Sequence, residues 1–440
     1  MRRQLFDLYH AHLARPLRHV PGGLRGRVAG HLFQATRHPD FAFAHARMLT
    51  DRGQQAEASK LYGGPEAAPV EDPLFAARLQ SAGKEPPALP APLRGFLQAQ
   101  IGYLGLRVSA SLKTAEPVEL TLELDGCVLR RETLQSKAGR AVFRMIIARP
   151  VLERFPPEAL LQARVNGALL PTSEAGAGWQ IHMPHGQGDI ARIIEARGPL
   201  SKKGQFRLNS AELEARQGGY LALYSALKDV FAEDFQRPLV VLYGTLLGQV
   251  RAQDFIPGDD DFDVGYAAPQ TDPDAVRSDA LEIMARLAAR GFVIGFNEQA
   301  RPFRIRQEGG DVWCHLDNRP VFSPEAGSRE VWLHKHAALP LPLSHFEAAE
   351  TAVMRGTEIL RPQHPEQFLE AYYGQGWQVP DPGYTNTGRS LPPQARRALA
   401  RLCLSDREQR DLAARYPSNV VPVRHQALYP LSGYAARVGF

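Results

Sequence analysis

The spacing of apolar and polar positions changes character along the chain and divides it into segments. In residues 1–62, Ala and Leu recur at helical intervals from Phe41 to Tyr62 (FAFAHARMLTDRGQQAEASKLY), with Gly53 at the turn. That spacing predicts an N-terminal α hairpin. Residues 63–97 are rich in Pro, Ala and Glu and read as a linker, broken by one short helix at Leu74 to Ser81. Residues 98–184 switch to short runs with partial alternation (IGYLGLRVSASL, PVELTLELDG, AVFRMIIA, LLQARVNG, GWQIHM), with turn dipeptides at Asp125-Gly126 and Asn166-Gly167. They predict a β-sandwich-like middle domain of about five to seven strands.

A Gly-rich, basic stretch at 185–204 reads as a second linker. Helical spacing resumes from about Ala211, where Tyr220, Leu223, Leu227, Val230 and Phe231 share one face. Pro238 to Tyr243 (PLVVLY) is a short apolar run suited to a buried strand. Asp272-Pro273 opens a further helix and Gly291 closes it, with Leu281, Met284, Leu287 and Ala288 as its stripe. Phe292 to Phe296, Phe303 to Gln307 and Asp311 to Asp317 follow as short strands. Residues 205–384 are therefore expected to form a C-terminal α+β domain with a mixed sheet. Residues 385–440 are expected to be a helical and loop tail. The hairpin at 41–62 also resembles one tetratricopeptide unit. A single unit cannot bury its own face, so a hairpin capping another domain is the plainer reading, and a protein partner for this helical head the alternative.

The chain has 440 residues, 44% of them hydrophobic and 22% charged, as in ordinary multidomain globular proteins. Its three cysteines, Cys127, Cys314 and Cys403, are too few and too scattered for a disulfide framework or a Cys-rich zinc site. They fit a reducing, cytoplasmic address. The formal charge is +5, and the first 60 residues hold ten Lys/Arg against four Asp/Glu. Such a head allows at most peripheral contact with anionic lipid, at the inner face of the membrane. No apolar run approaches the roughly 18 residues of a membrane span. Nothing in the pattern points to nucleic acid.

The densest chemistry lies in YGTLLGQVRAQDFIPGDDDFDVG, Tyr243 to Gly265. Asp259, Asp260, Asp261 and Asp263 fall within five positions. Two carboxylates about 4 Å apart repel by roughly 4 kcal/mol at an effective dielectric near 20, so a folded cluster needs a cation or a raised pKa. Phe262 and Val264 alternate with Asp261 and Asp263, as on a strand. Period 2 would place those two acids on one face, about 7 Å apart. The Gly244-Thr245 turn leaves backbone N–H groups open to a phosphate, and Arg251 offers a bidentate guanidinium. A calcium loop is excluded, because Val264 and Gln270 stand where its Gly and Glu are required. On a strand, Asp311, Trp313, His315 and Asp317 would share a face, which makes Asp317 or Asp311 the candidate third acid.

This arrangement resembles the nucleotidyltransferase fold and, more narrowly, the LicD/fukutin family. The resemblance rests on Tyr243-Gly244-Thr245-Leu246-Leu247-Gly248, Arg251, Phe255-Ile256-Pro257 and Asp259-Asp260-Asp261-Phe262-Asp263. Further down it rests on Pro365, Leu369, Tyr373-Gly374, Trp377 and Pro380, so that it covers about 211–384. The departure is Gly258, where the family usually has Trp. The resemblance implies Asp259, Asp260, Asp261, Asp263 and Asp317 as catalytic residues, and Asp261, Asp263 and Asp317 as ligands of Mg²⁺ or Mn²⁺. It also implies Gly244, Thr245, Arg251 and Trp377 as substrate contacts. The implied activity is metal-dependent transfer of a phospho-alcohol, a polyol phosphate or phosphocholine, from a CDP-linked donor to a surface or capsular glycan. A nucleotidyltransferase making an activated donor, a glycosyltransferase using Asp261-Phe262-Asp263, and a non-catalytic scaffold are the alternatives.

Overall fold

The computed structural model describes residues 24, 27–32, 39–62, 72–83, 89–91, 93–296, 303–311, 314–333, 337–381 and 391–421. They fall into two compact units, one ending at Asn209 and the other beginning at Ser210.

The first unit opens with helices α1 (Pro39–Asp51) and α2 (Gln55–Tyr62). The chain reverses between them at Gly53, whose φ of +73° favours glycine. A short helix, α3 (Pro73–Ala76), is capped by Asp72, which accepts from Leu74 N and also receives the Arg149 guanidinium at 2.8 Å. Strands β1 (Arg78–Ala82), β2 (Arg94–Gly102), β3 (Gly105–Lys113), β4 (Val118–Leu124), β5 (Cys127–Leu134) and β6 (Arg140–Ala148) follow. After the single turn α4 (Arg149–Leu152) come β7 (Glu158–Val165), β8 (Ala168–Leu169), β9 (Gly178–His182) and helix α5 (Ile190–Arg197). One antiparallel sheet runs β1-β9-β7-β4-β5, with β8 beside β7, and a three-stranded sheet runs β2-β3-β6. Each buries one face, in the alternation expected of half-buried strands. The Trp179 indole of the larger sheet donates to Leu97 O of the smaller one at 3.2 Å.

Two stretches read from sequence as linkers hold ordered elements. β1 and the start of β2 fall within 63–97, and of the helix expected at Leu74 to Ser81 only residues 74–76 are helical. β1 is short and polar (RLQSA), so its pairing with β9 leaves no alternation to read. Helix α5 occupies much of 185–204, behind Gly residues that masked it.

The second unit begins with α6 (Ser210–Phe235), followed by β10 (Val240–Val241), α7 (Tyr243–Ala252), β11 (Asp263–Ala267) and α8 (Pro273–Ala289). Then come β12 (Phe292–Gly295), β13 (Arg304–Gln307), β14 (Leu316–Phe322), β15 (Val331–Leu333), β16 (Ala337–Leu339) and the turn α9 (Ser344–Glu347). The hairpin β17 (Ala349–Met354)–β18 (Thr357–Pro362) leads to α10 (Pro365–Tyr373), α11 (Pro393–Arg401), α12 (Asp406–Arg415) and β19 (Val420–Val421). The sheet order is β10-β11-β14-β13-β12-β19, extended from β14 by β15 and β16. It is mixed, since β11 runs parallel to β14 and β12 parallel to β19, while the other pairs are antiparallel. Part of the expected tail thus belongs to this unit: β19 closes one sheet edge, and Ala395, Leu399 and Leu412 join the core. Among the described residues no helix is long and apolar enough to cross a membrane.

Candidate functional site

The acid-rich loop is held from beneath by helix α6. The Gln217 amide donates to Asp259 O at 2.9 Å, and the Tyr220 hydroxyl donates to Asp260 O. Both side chains are buried. Burial pushes the Tyr220 phenol well above its ordinary pKa. That keeps it a neutral donor at working pH. Tyr220 also packs against Phe255 and Phe262, with ring centroids 6.4 and 6.0 Å away. The aromatic residues interleaved with the acids are therefore core anchors, and the Asp259 and Asp260 carbonyls are engaged by α6.

Helix α7 supplies the facing wall. Tyr243 enters it with φ +50°, a left-handed conformation stabilised by ring contacts with Phe368 and Tyr372 at 5.8 and 4.7 Å. A Cβ on Gly244 would lie 3.3 Å from Asp259 Oδ2, so this turn and the Asp259 carboxylate are in close approach. Thr245 Oγ1 accepts from Asp263 N at 3.0 Å, a buried bond that ties the helix start to the first residue of β11.

Asp263 and Asp317 are register partners on the parallel strands β11 and β14. Between them lies Arg319, two residues after Asp317 and therefore on the same face. Its Nη1 donates to Asp263 Oδ1 and its Nη2 to Asp317 Oδ2, the latter at 3.1 Å. Arg304, paired with Asp317 across β13, donates its Nε to Asp317 Oδ1 at 2.9 Å. Arg319 is fully buried. Desolvation alone would lower its pKa, but the charges of Asp263 and Asp317 outweigh this and hold the guanidinium above the ordinary arginine value. Its Cζ sits 5.3 Å from the Tyr243 ring centroid, a cation–π contact that joins the ion network to helix α7.

The sequence-derived candidates thus divide. Gly244, Thr245, Asp259 and Asp263 are brought together at the α7–β11 junction, with Asp317 beside Asp263. Asp259, Asp260 and Asp261 are half-buried on the loop before β11, while Asp263 is buried. Asp261 precedes the strand rather than lying on it, so strand alternation does not fix its direction. β14 begins at Leu316, which leaves Asp311, Cys314 and His315 outside the strand; Trp313 lies outside the described residues. Asp311 lies 4.0 Å from Arg216, and of the two candidate third acids Asp317 is the one paired with Asp263. Arg251 points to the far end of helix α10, where its Nη2 donates to Trp377 O and, at 3.1 Å, to Val379 O. Its Nε is buried with no hydrogen-bond partner among the described residues. Trp377 is buried and meets Arg251 through its carbonyl. Gly258 has φ +77° and faces open space. An L-residue there would be strained.

Sequence reasoning missed Gln217, Tyr220, Arg304 and Arg319. Each acts across a long sequence separation, and only the period of α6 marked Tyr220, as a core position. Among the described residues no group of three His, Cys, Asp or Glu side chains is placed to hold a metal ion.

At this strand-and-helix junction an acid cluster, a glycine turn and a parallel acid pair lie side by side. Residues 237–364 match the family described as LicD/FKTN/FKRP, nucleotidyltransferase domain. The second unit therefore carries a domain similar to that family, a likeness that suggests a phosphotransferase-type function on glycans. The match ends before Tyr373, Trp377 and Pro380. A comparison with curated proteins found no match.

Proposed function

We propose that the second unit transfers a phospho-alcohol from a CDP-linked donor to a glycan, with Mg²⁺ or Mn²⁺ as cofactor. The observation that carries this reading is the convergence of the Gly244 turn, the Asp259–Asp263 loop and the Asp263/Asp317 pair on one junction.

The donor set suits a hard cation, being carboxylate oxygen throughout. Guanidinium groups engage both oxygens of Asp317, and Arg319 engages Oδ1 of Asp263. A carboxylate oxygen keeps a second lone-pair direction. The fit is thus to an ion held by one or two carboxylates, Asp261 and Asp263 first and Asp317 behind them, and completed by substrate phosphate and water, as Mg²⁺ commonly is. Such an ion would neutralise charge on the transferring phosphoryl group.

The chain's own residues do the rest. The Gly244 turn presents backbone N–H groups to the diphosphate without a side chain in the way. The buried Arg251 Nε is an unsatisfied donor on the same helix. Asp259 or Asp260, on a loop whose carbonyls are pinned by Gln217 and Tyr220, takes the proton of the acceptor hydroxyl. Helix α6 thereby holds the base in place, which is where positioning contributes to rate.

Open space around Gly258 favours a polyol phosphate over choline, because a quaternary ammonium is best held by an aromatic wall. The test offers CDP-choline, CDP-glycerol and CDP-ribitol with Mg²⁺ and an acceptor glycan, and follows CMP. Release from a polyol donor, abolished by EDTA and in Asp263→Asn, is expected. Release from CDP-choline alone refutes the polyol assignment. Pyrophosphate in place of CMP promotes the nucleotidyltransferase alternative. We place the protein in the cytoplasm, where CDP-linked donors would meet a chain with free thiols.

A further inference from the structure

The three-stranded sheet β2-β3-β6 has one buried and one open face. Strand register arranges the open face in four rows of three: Arg94/Lys113/Arg140, Phe96/Ser111/Val142, Gln98/Ser109/Arg144 and Gln100/Arg107/Ile146. Five of these twelve positions are cationic and none is acidic. Among the described residues, Arg94, Lys113, Arg140 and Arg144 are not ion-paired with any carboxylate. Phe96 and Val142 are 36% and 48% exposed, side by side in the second row with Ser111 between them.

The outer face of the larger sheet is a control within the same molecule. There three basic residues have in-sheet partners, Arg164 with Glu123 at 3.2 Å, Arg131 with Glu119 at 3.9 Å and His182 with Glu158, while Arg78, opposite His182, donates to the Phe75 and Ala77 carbonyls. Like charges directly opposite one another on neighbouring strands are destabilising. The Arg94/Lys113/Arg140 row therefore carries an electrostatic cost that a bound anion would remove.

We propose that this face binds an anionic polysaccharide, resting on the reading of the protein as a glycan-modifying transferase. The chemistry of the rows selects the ligand class. Rows two residues apart lie about 7 Å apart along the strands, so the first row and Arg144 in the third are separated by about 14 Å. Two phosphate or carboxylate groups held there would bracket a neutral sugar lying on Phe96 and Val142. The hydroxyls of Ser109 and Ser111 and the amide of Gln98 sit at the right rows to meet sugar hydroxyls. A single-stranded nucleic acid prefers several aromatic rings on which successive bases stack, and this face has one. A membrane would need apolar groups that protrude, whereas Phe96 and Val142 lie within a flat sheet among charged and polar neighbours.

The test titrates the full-length protein with polygalacturonate and with poly(glycerol phosphate), with neutral dextran as control. Binding to at least one anionic polymer and not to dextran is expected, weakening as salt rises. The double variant Arg94→Gln/Arg140→Gln should weaken it about tenfold or more, and Phe96→Ala several-fold. All these changes are on an exposed face, so folding is expected to be retained, and circular dichroism verifies it. Binding unaffected by these variants overturns the proposal. So does tighter binding of an oligothymidylate or of phosphatidylcholine vesicles with one-third phosphatidylglycerol. Asp263→Asn should bind the polymer as the unaltered protein does. Intact polymer binding without CMP release from any donor would therefore sink the catalytic reading and leave this one standing.

Discussion

Asp263 and Asp317 face each other across parallel strands and are bridged by the buried guanidinium of Arg319. Removing one member of a buried ion network leaves the others uncompensated, which costs about 3–5 kcal/mol. Arg319→Met should therefore lower the unfolding free energy by about that amount in urea titrations. Adding Asp317→Asn to Arg319→Met should recover part of the loss, because one stranded charge is removed. A double variant as unstable as the sum of the singles would mean that Arg319 acts through packing against Tyr243 rather than through the acids.

Gly244 and Gly248 stand one helical turn apart in α7 and should respond differently to alanine. At Gly244 the new methyl meets two side-chain ends, the Asp259 carboxylate at 3.3 Å and Ile256 Cδ1 at 3.9 Å, and these can yield. Gly244→Ala should leave the melting temperature nearly unchanged while reducing turnover by roughly tenfold, through displacement of Asp259. At Gly248 the methyl would lie 2.5 Å from Asp254 O and 2.8 Å from Ile256 N, which are backbone atoms. Gly248→Ala should destabilise by about 1–3 kcal/mol, as overpacking does. Thermal melting alongside CMP release separates the two.

What was legible in the sequence was local. The turn, the acid cluster and the family motif occupy one stretch, and the helical periods of α6 and α8 reflect single faces that bury together. The resemblance to LicD/fukutin proteins was carried by that stretch, and the family match spans it. What was not legible depends on pairing partners far away. The apolar run PLVVLY announces β10, whereas the two-residue β19 has no period to detect and takes its identity from β12. Alternation predicts Asp261 on a strand, but the register with β10 and β14 begins at Asp263, with Phe262 O bonded to Asp317 N just ahead of it. Nothing local in LDNRPVF sets Arg319 apart. Only the parallel register shows that it shares a face with two carboxylates.

Tyr220 and Gln217 reach the acid loop from α6 through its backbone. Tyr220→Phe keeps the ring contacts with Phe255 and Phe262 and deletes the donor to Asp260 O, so it should cost about 1 kcal/mol in stability. Its larger effect should be on kcat, since the loop that carries the proposed base loses an anchor. Paired with Gln217→Ala, the losses in kcat should exceed additivity, because the two bonds hold consecutive residues. Unchanged kcat in both variants would show that the loop is positioned without α6.

The start of α12 should make the second unit sensitive to acid. Ser405 Oγ accepts from Glu408 N, and the Glu408 carboxylate accepts from Ser405 N at 2.7 Å, a reciprocal cap of the helix. The same carboxylate takes the Arg277 guanidinium of α8 at 3.0 Å. Burial raises the Glu408 pKa, but the bonds from Ser405 and the charge of Arg277 outweigh it, and the net shift is downward from 4.5. A carboxyl whose folded pKa lies below its unfolded value adds stability that is fully present above about pH 4.5 and is lost as pH falls through the folded pKa. Glu408→Gln removes that dependence. At pH 7 the variant should be less stable by about 1 kcal/mol, the usual scale of a lost cap. As the pH falls below 4 the two proteins should converge. Urea titrations between pH 3 and pH 7 measure the gap, and a gap that stays constant across this range would show that the Glu408 charge contributes nothing to the cap.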